Sequence, residues 1–274
     1  MIFNLSDLEK KLALYNYEML VTKPETENDE DNELARKGSF PFYSAKVLQS
    51  EFRDNNPSCT DAGSGSILLV ENKNKVLTNS DLLRNFEDKI AGNGNPFFFI
   101  MVGNTKGRSY DKNGEKCWSY DTIRPIKVPA WGAKFCSNCP KNSMKEGKLE
   151  CGMYAKLFGI LLGSNKIYPI CLSLYGTAHG EMCGKKGHLT QLFDGIKLSS
   201  KVIVFDTVLK KNEKIKKNWK ALAYLGSINT PDHLIEIADQ VKGIYQLYKL
   251  QYTIKPNEQQ LTSEDTSESS DVPF

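Results

Sequence analysis

Little in this sequence points to catalysis. Its 274 residues include only three histidines, and none stands beside an evident nucleophile. General acid–base machinery is therefore hard to assemble. There is no H-E-x-x-H, no G-x4-G-K-[ST], no G-x-S-x-G and no G-x-G-x-x-G after a strand, which sets aside the usual zinc-protease, P-loop, hydrolase and dinucleotide signatures. His179-Gly180-Glu181 has the H-x-E of zinc deaminases, but those enzymes need P-C-x-x-C downstream of it. Here the C-x2-C lies upstream and its proline follows the second cysteine. The acids are scattered, so two-metal nuclease chemistry has no support beyond their presence. An enzyme is not expected.

Long apolar runs are missing too. No stretch approaches the ~18 consecutive apolar residues of a membrane-spanning helix. The opening MIFNLSDLEKK lacks the basic-then-apolar layout of a secretory signal, so a cytoplasmic protein is expected. Seven cysteines, an odd number, then argue for thiols or metal ligands over a disulfide framework. No repeat recurs at a fixed period.

What is present is an uneven charge distribution. The net charge of +3 hides two acidic stretches, 25–33 with six acids and 258–274 with five, neither holding a base. Residues 34–257 carry 33 Lys and Arg against 19 Asp and Glu. A basic body with separable acidic segments suits a polyanion partner. Scattered surface lysines on an ordinary soluble protein would give the same count.

The chain divides into three parts. In residues 1–35, a Ser6–Glu9 capping box and the spacing of Leu8, Leu12, Tyr15 and Met19 predict a short helix, followed by an acidic linker. The body, 36–255, has strand-like runs at 66–70, 96–102, 167–175 and 201–209, with a short helix expected over 188–197. Thr230 and Pro231 mark the start of a closing helix over 230–250 whose face is Leu234, Ile237, Ala238, Val241, Ile244, Tyr245 and Tyr248. Residues 256–274 lack the apolar content to pack and are expected to be disordered. Phe97, Phe98 and Phe99 cannot share one face of a strand, so Phe98 is either exposed or covered by an added helix. This pattern favours a mainly β (α+β) fold, an antiparallel barrel with helical additions, over a βαβ sheet.

Four cysteines, Cys117, Cys136, Cys139 and Cys151, fall within 35 residues. Cys136-Ser137-Asn138-Cys139-Pro140 is a knuckle whose two-residue spacer lets both sulfurs of a tight turn reach one ion. The segment is too poor in aliphatic residues to pack alone, and a structural zinc would supply its fold. Free structural thiols, or a redox pair at Cys136 and Cys139, are the alternatives. Cys59 competes with Cys117 as fourth ligand. Cys171 reads as a core residue, and His179, Cys183 and His188 are too few for a second site.

Aromatic and basic residues interleave as a single-strand binder requires. Lys106, Arg108 and Tyr110 lie in a Gly-flanked loop expected to join two strands; Trp118, Tyr120, Arg124, Lys127, Trp131, Lys134 and Phe135 crowd the cysteine loop; Lys210, Lys211, Lys216, Lys217 and Trp219 belong to a lysine-rich hairpin. Trp118 or Trp131 packing over the cysteine loop, and a merely solvated hairpin, would explain the same residues.

Two resemblances sharpen this. The terminal Asp271-Val272-Pro273-Phe274, at the end of an acidic tail, is similar to the tip of bacterial single-stranded DNA-binding proteins, although the usual aspartates are replaced by serines. A terminal Phe there offers a ring and a carboxylate to a partner. Over about residues 96–225 the body resembles a phage- and plasmid-type family of single-stranded DNA-binding proteins. The matching residues are Cys117-Trp118-Ser119-Tyr120-Asp121, Cys136 through Pro140, Cys151, and Tyr168-Pro169 running to Gly176-Thr177. The resemblance implies an OB-fold-like barrel with a zinc-stapled insertion, one structural Zn2+, and no catalysis. It also implies single-stranded DNA as ligand, with replication, recombination or repair proteins recruited through the tail, in a bacterial cell or on a mobile element. A homo-oligomer is compatible with it. The competing expectations are a zinc-containing duplex-DNA regulator or replication-initiation factor, a metal-dependent nuclease, and an interaction scaffold. No basic recognition helix favours the first.

Overall fold

The computed structural model describes residues 4–22, 41–49, 61–71, 77–112, 115–119, 122–125, 128–142, 144–145, 148–212 and 217–253. The two acidic segments, Cys59, Tyr120, Lys127, Lys216 and the tip Asp271–Phe274 lie outside them. The fold is mainly β. Strands β1 (Met19–Leu20), β2 (Tyr43–Val47), β3 (Ile67–Val70), β4 (Phe97–Lys112) and β5 (Glu115–Ser119) come first. After them come β6 (Met144–Lys145), β7 (Lys148–Leu149), β8 (Gly152–Leu162), β9 (Lys166–Tyr175), β10 (Lys201–Asn212) and β11 (Lys217–Asn229). The α-helices are α1 (Leu5–Ala13), α2 (Gly176–Cys183), α3 (His188–Leu192) and α4 (Asp232–Thr253). No described helix is long and apolar enough to cross a membrane.

Nine strands form one sheet in the order β11-β10-β4-β8-β9-β2-β3, with β5 added to β4 and β1 to β9. The sheet is mixed, because β1 and β2 run parallel to β9. It is also open where a barrel would close: no ladder joins β11 to β3 among the described residues. Across that gap the Gln49 amide imitates a strand, donating to the Lys220 carbonyl (2.8 Å) and accepting from the Lys220 N–H (2.9 Å). Next to it, Thr207 donates to the Gly65 carbonyl and accepts from the Asn93 N–H, so β10 is tied to the start of β3.

The triple Phe is resolved by two packed layers. Phe97, Phe99 and Met101 face one core with Leu157, Leu161, Ile170, Leu172, Ile203 and Phe205, closed by Met182 of α2 and Leu189 of α3. Phe98, Ile100 and Val102 face the other with Phe158, Ile160 and Ile167. Leu8 and Leu12 of α1 and Leu234, Ala238, Val241 and Tyr245 of α4 cover that second layer. Phe98 is thus covered by helices, and each buried Phe contributes roughly 1.5–3 kcal/mol.

The seating of α4 depends on Gly103. A Cβ there would lie 2.2 Å from the Tyr245 ring, whose hydroxyl donates to the Asn104 carbonyl at 2.9 Å. Gly103→Ala is expected to destabilise the fold by about 1–3 kcal/mol through overpacking, read as a lower urea midpoint. An unchanged midpoint would mean that α4 does not need this contact.

The helix ends differ from the sequence expectation. Asn4, not Ser6, caps α1, its side chain accepting the Ser6 N–H at 3.1 Å. The helix stops at Ala13, so Tyr15 is buried beyond it and Met19 lies in β1. Helix α4 begins at Asp232, and the buried Thr230 hydroxyl has no partner among the described residues, so it does not act as a cap. The helix expected over 188–197 is only His188–Leu192.

Candidate functional site

A β-bulge decides which side chains meet. Met101 pairs with Gly159 but Gly103 pairs with Phe158, so Val102 is an extra residue and the faces of β4 exchange beyond it. Lys106, Arg108 and Tyr110 therefore continue the face of Phe97 and Phe99, past the end of that core. Cys117 pairs with Tyr110 and Ser119 with Arg108, which puts Cys117 on the same side. Gly107 and Ser109 turn to the other side.

On the first side, Cys117, Cys136, Cys139 and Cys151 line one cavity together with Arg108, Tyr110, Trp131, Lys141 and Asn142. Cys117 comes from β5 and Cys151 from the residue before β8. The knuckle supplies the other two through a tight turn in which the Cys139 N–H donates to the Cys136 carbonyl (3.4 Å) and the Asn142 N–H to the Cys139 carbonyl (2.9 Å). The Cys151 N–H donates to the Lys141 carbonyl at 2.9 Å, tying the end of the loop to the knuckle. The Trp131 indole N–H donates to Cys139 Sγ at 3.3 Å. All described cysteines are free thiols. Burial pushes the Cys117 thiol up to about 11, with Cys151, Cys136 and Cys139 adding to the rise; burial raises Cys151 as well. Reactive redox thiols have lowered values, so Cys117 and Cys151 are not of that kind. As the side chains stand, no group of three His, Cys, Asp or Glu among the described residues is arranged to hold a metal ion. The four sulfurs nevertheless share one cavity and sense one another's charge.

On the opposite side lies a strip of rings. Tyr154 of β8 is opposite Tyr175 of β9, and Trp118 of β5 is opposite Ser109 of β4. The Tyr154 ring lies across Gly107, where a Cβ would come within 2.4 Å of it, and its hydroxyl donates to the Ser119 carbonyl at 2.9 Å. Trp118 stands edge-on to it with centroids 6.0 Å apart, and Tyr175 is tilted against it at 5.6 Å. Tyr154 is only 1% exposed, whereas Trp118 is 38% and Tyr175 47% exposed. The buried ring is a floor and the outer two are open to solvent. Lys156 shares this face, two residues along β8 from Tyr154.

The residues singled out from the sequence separate into groups. Trp118 is an exposed aromatic, as expected. Tyr110 is buried, 3.2 Å from Lys141 Nζ through its hydroxyl and edge-on to Trp131. Trp131 is half-buried against the thiols, so both rings pack over the cysteine loop. Arg108 is part-buried on Asn142. Arg124 lies 5.1 Å from the ring centre of the exposed Phe135, and Lys134 is exposed. Lys106 is exposed beside His179 and Cys183 of α2; it lowers the His179 pKa second to burial, and it acts against the rise that burial imposes on the Cys183 thiol, which reaches about 11. Lys210 pairs with Glu181 of α2 at 2.8 Å, Lys211 is exposed, and Trp219 is half-buried opposite Lys210. Lys217 opens β11. So β4, α2 and the hairpin meet at one end of the sheet. Tyr154, Tyr175, Lys156 and Lys141 were not identified from the sequence. The strand alternation that ends at Tyr175, just before Gly176, was the available signal for that ring.

No protein-family model, curated protein or solved structure matches this chain. A functional reading therefore stands on its own residues.

Proposed function

We propose that this protein is a non-catalytic single-stranded DNA-binding protein with an OB-fold-like core and a cysteine loop held by one structural zinc ion. The observation that carries the reading is the strip Trp118–Tyr154–Tyr175, two exposed rings set on a buried third. Base–aromatic stacking contributes about 1–3 kcal/mol per base and tolerates any sequence, because every base has a π-face. Lys156 supplies positive charge on that face, and the exposed Lys106, Lys134 and Lys211 add to the basic surface of the chain.

Strand order supports the OB-like core. The long strand β4 pairs with both β8 and β10; β9 follows β8; α2 and α3 lie between β9 and β10; β10 and β11 close as a hairpin. Read as OB strands one to five, the face of strands two and three holds Tyr154 and Tyr175. The loop after strand one is the cysteine loop, and the connection between strands four and five falls in the lysine-rich stretch 210–220. In OB folds that face and those two loops take the oligonucleotide. Strands β2 and β3 then occupy the seam between strands three and five, and Gln49 bridges to β11.

The thiols fit zinc in kind and number. Four sulfurs around one cavity are the donor set of a closed structural site, and the N–H of Trp131 on Cys139 is the outer-layer hydrogen bond such sites use. Cys117, Cys136, Cys139 and Cys151 would hold the ion, and it would supply the folding energy that the loop's sparse apolar content lacks. Bound there, it would staple β5 and β8 to the loop carrying Lys134 and Phe135, keeping Trp118, next to Cys117, in line with Tyr154. The tip Asp271–Phe274 is assigned to recruitment of replication, recombination or repair proteins by its likeness to bacterial tips.

The test is fluorescence anisotropy of a labelled 30-mer, single-stranded against duplex, across a salt series. Single-strand preference with a log–log salt slope near about −3.5, as for five neutralised phosphates, is the expected result. Equal or duplex-favoured binding would replace this reading with the duplex regulator, and no binding at low salt would leave the scaffold.

A further inference from the structure

Arg108 was singled out from the sequence as a phosphate contact, but its surroundings give it a different task. Its guanidinium donates to the Asn142 side chain, whose own Nδ2 donates to the Cys136 carbonyl at 2.9 Å. It also lines the same cavity as the Cys151 thiol, and its charge acts against the rise that burial imposes there. Its Nε is buried, with no partner among the described residues. The fork thus lines the cysteine cavity and holds the knuckle through Asn142, with its charge beside Cys151 at the β8 end of the loop.

A zinc ion bound by four thiolates carries a net charge of −2, and placing that charge out of water is costly unless a cation stands beside it. Arg is suited to the role because it is always charged and its planar fork holds two acceptors at once. The other nearby cation, Lys141, is shared with Glu115 at 3.2 Å and with the Tyr110 hydroxyl, and it stands over the rings of Tyr110 and Trp131. Two residues back on the same face, Lys106 is exposed and faces solvent beside α2.

We propose that Arg108 is a positioning residue for the cysteine centre, its counter-charge and the clamp on its ligand loop, while Lys106 is the phosphate contact of that strand. This rests on the zinc reading above.

The experiment uses the full zinc-loaded chain and two readouts. One is the rate of zinc release to an excess of a chromogenic zinc chelator, followed by the absorbance of its zinc complex. The other is the salt slope for a labelled thymidine 30-mer. Arg108→Gln is expected to release zinc about tenfold faster or more, the usual loss when an outer-layer partner is removed, with its salt slope unchanged. Lys106→Gln is expected to keep the parental release rate and to reduce the slope by about 0.7, the share of one phosphate on a single strand. If Arg108→Gln does not fold, Arg108→Lys decides. It keeps the charge but loses the fork, and should release zinc several-fold faster with the slope intact. Release at the parental rate with a slope lowered by about 0.7, in whichever Arg108 variant folds, would overturn the proposal and return Arg108 to DNA contact. A parental protein that binds no zinc would overturn it together with the zinc reading, and the parental zinc content separates that failure from the other.

Discussion

Replacing both Trp118 and Tyr175 with alanine is expected to weaken binding of a single-stranded 30-mer by about 30-fold at the least, at two stacking contacts of ~1–3 kcal/mol each. Each single variant should lose roughly half of that free energy, because β5 and β9 set the two exposed rings on opposite sides of Tyr154, where each would take a separate base. The fold should tolerate the double change. Both rings are well exposed, and the floor remains, since Tyr154 is held by the Ser119 carbonyl and by the room over Gly107. Anisotropy at one salt concentration measures the effect, with circular dichroism to check the fold. Double-variant affinity within threefold of the parent would show that bases stack elsewhere. Leu247→Ala, another exposed apolar position but on α4, is the matched control and should change nothing.

The second large effect concerns the loop. Cys139→Ser should abolish stoichiometric zinc and lower the melting temperature by roughly 6–12 °C, the shift that a loss of ~3 kcal/mol produces in a domain of this size. Without the ion the knuckle is held by the Asn142 side chain and the Ile123 carbonyl on Cys136 and by little else. Its turn is a pair of backbone hydrogen bonds, and its apolar cover is Trp131 and Tyr110. The same variant should weaken DNA binding less than the ring variants do, because Tyr154 and Tyr175 belong to β8 and β9, which pair independently of the loop. Metal analysis by plasma mass spectrometry and a thermal scan check both parts. One zinc retained at an unchanged melting temperature would refute the site.

The sheet was legible wherever apolar residues alternate. The runs at 66–70, 96–102, 167–175 and 201–209 all seeded strands, and of the two readings open for Phe98, exposed or covered by an added helix, the structure has the second. The full length of β4 was not legible, because its second half, Gly103 to Lys112, is polar and earns its ladder from β5 and β8 rather than from burial. Helix α2 was missed for a similar reason: Gly176 and Gly180 weaken its propensity, and it forms because Met182 and Cys183 plug the end of a core. In the candidate site, the cysteine spacing announced a cluster, and the four thiols do line one cavity. The ring strip was not announced, because Trp118, Tyr154 and Tyr175 are distant in sequence. They meet only through the register Tyr154–Tyr175, the glycine at 107 and the bulge at Val102, none of which a linear pattern states. The same bulge explains why Arg108 and Tyr110, read as part of a binding loop, face the thiols instead.

The most direct test is ultraviolet cross-linking of the full chain to a thymidine 30-mer, with the attached residues located by peptide mass spectrometry. Cross-links on Trp118 and Tyr175, lost when the same strand is presented as a duplex, are the result this account predicts. Cross-links confined to residues outside β5, β8 and β9, or equal yields from single strand and duplex, would contradict it.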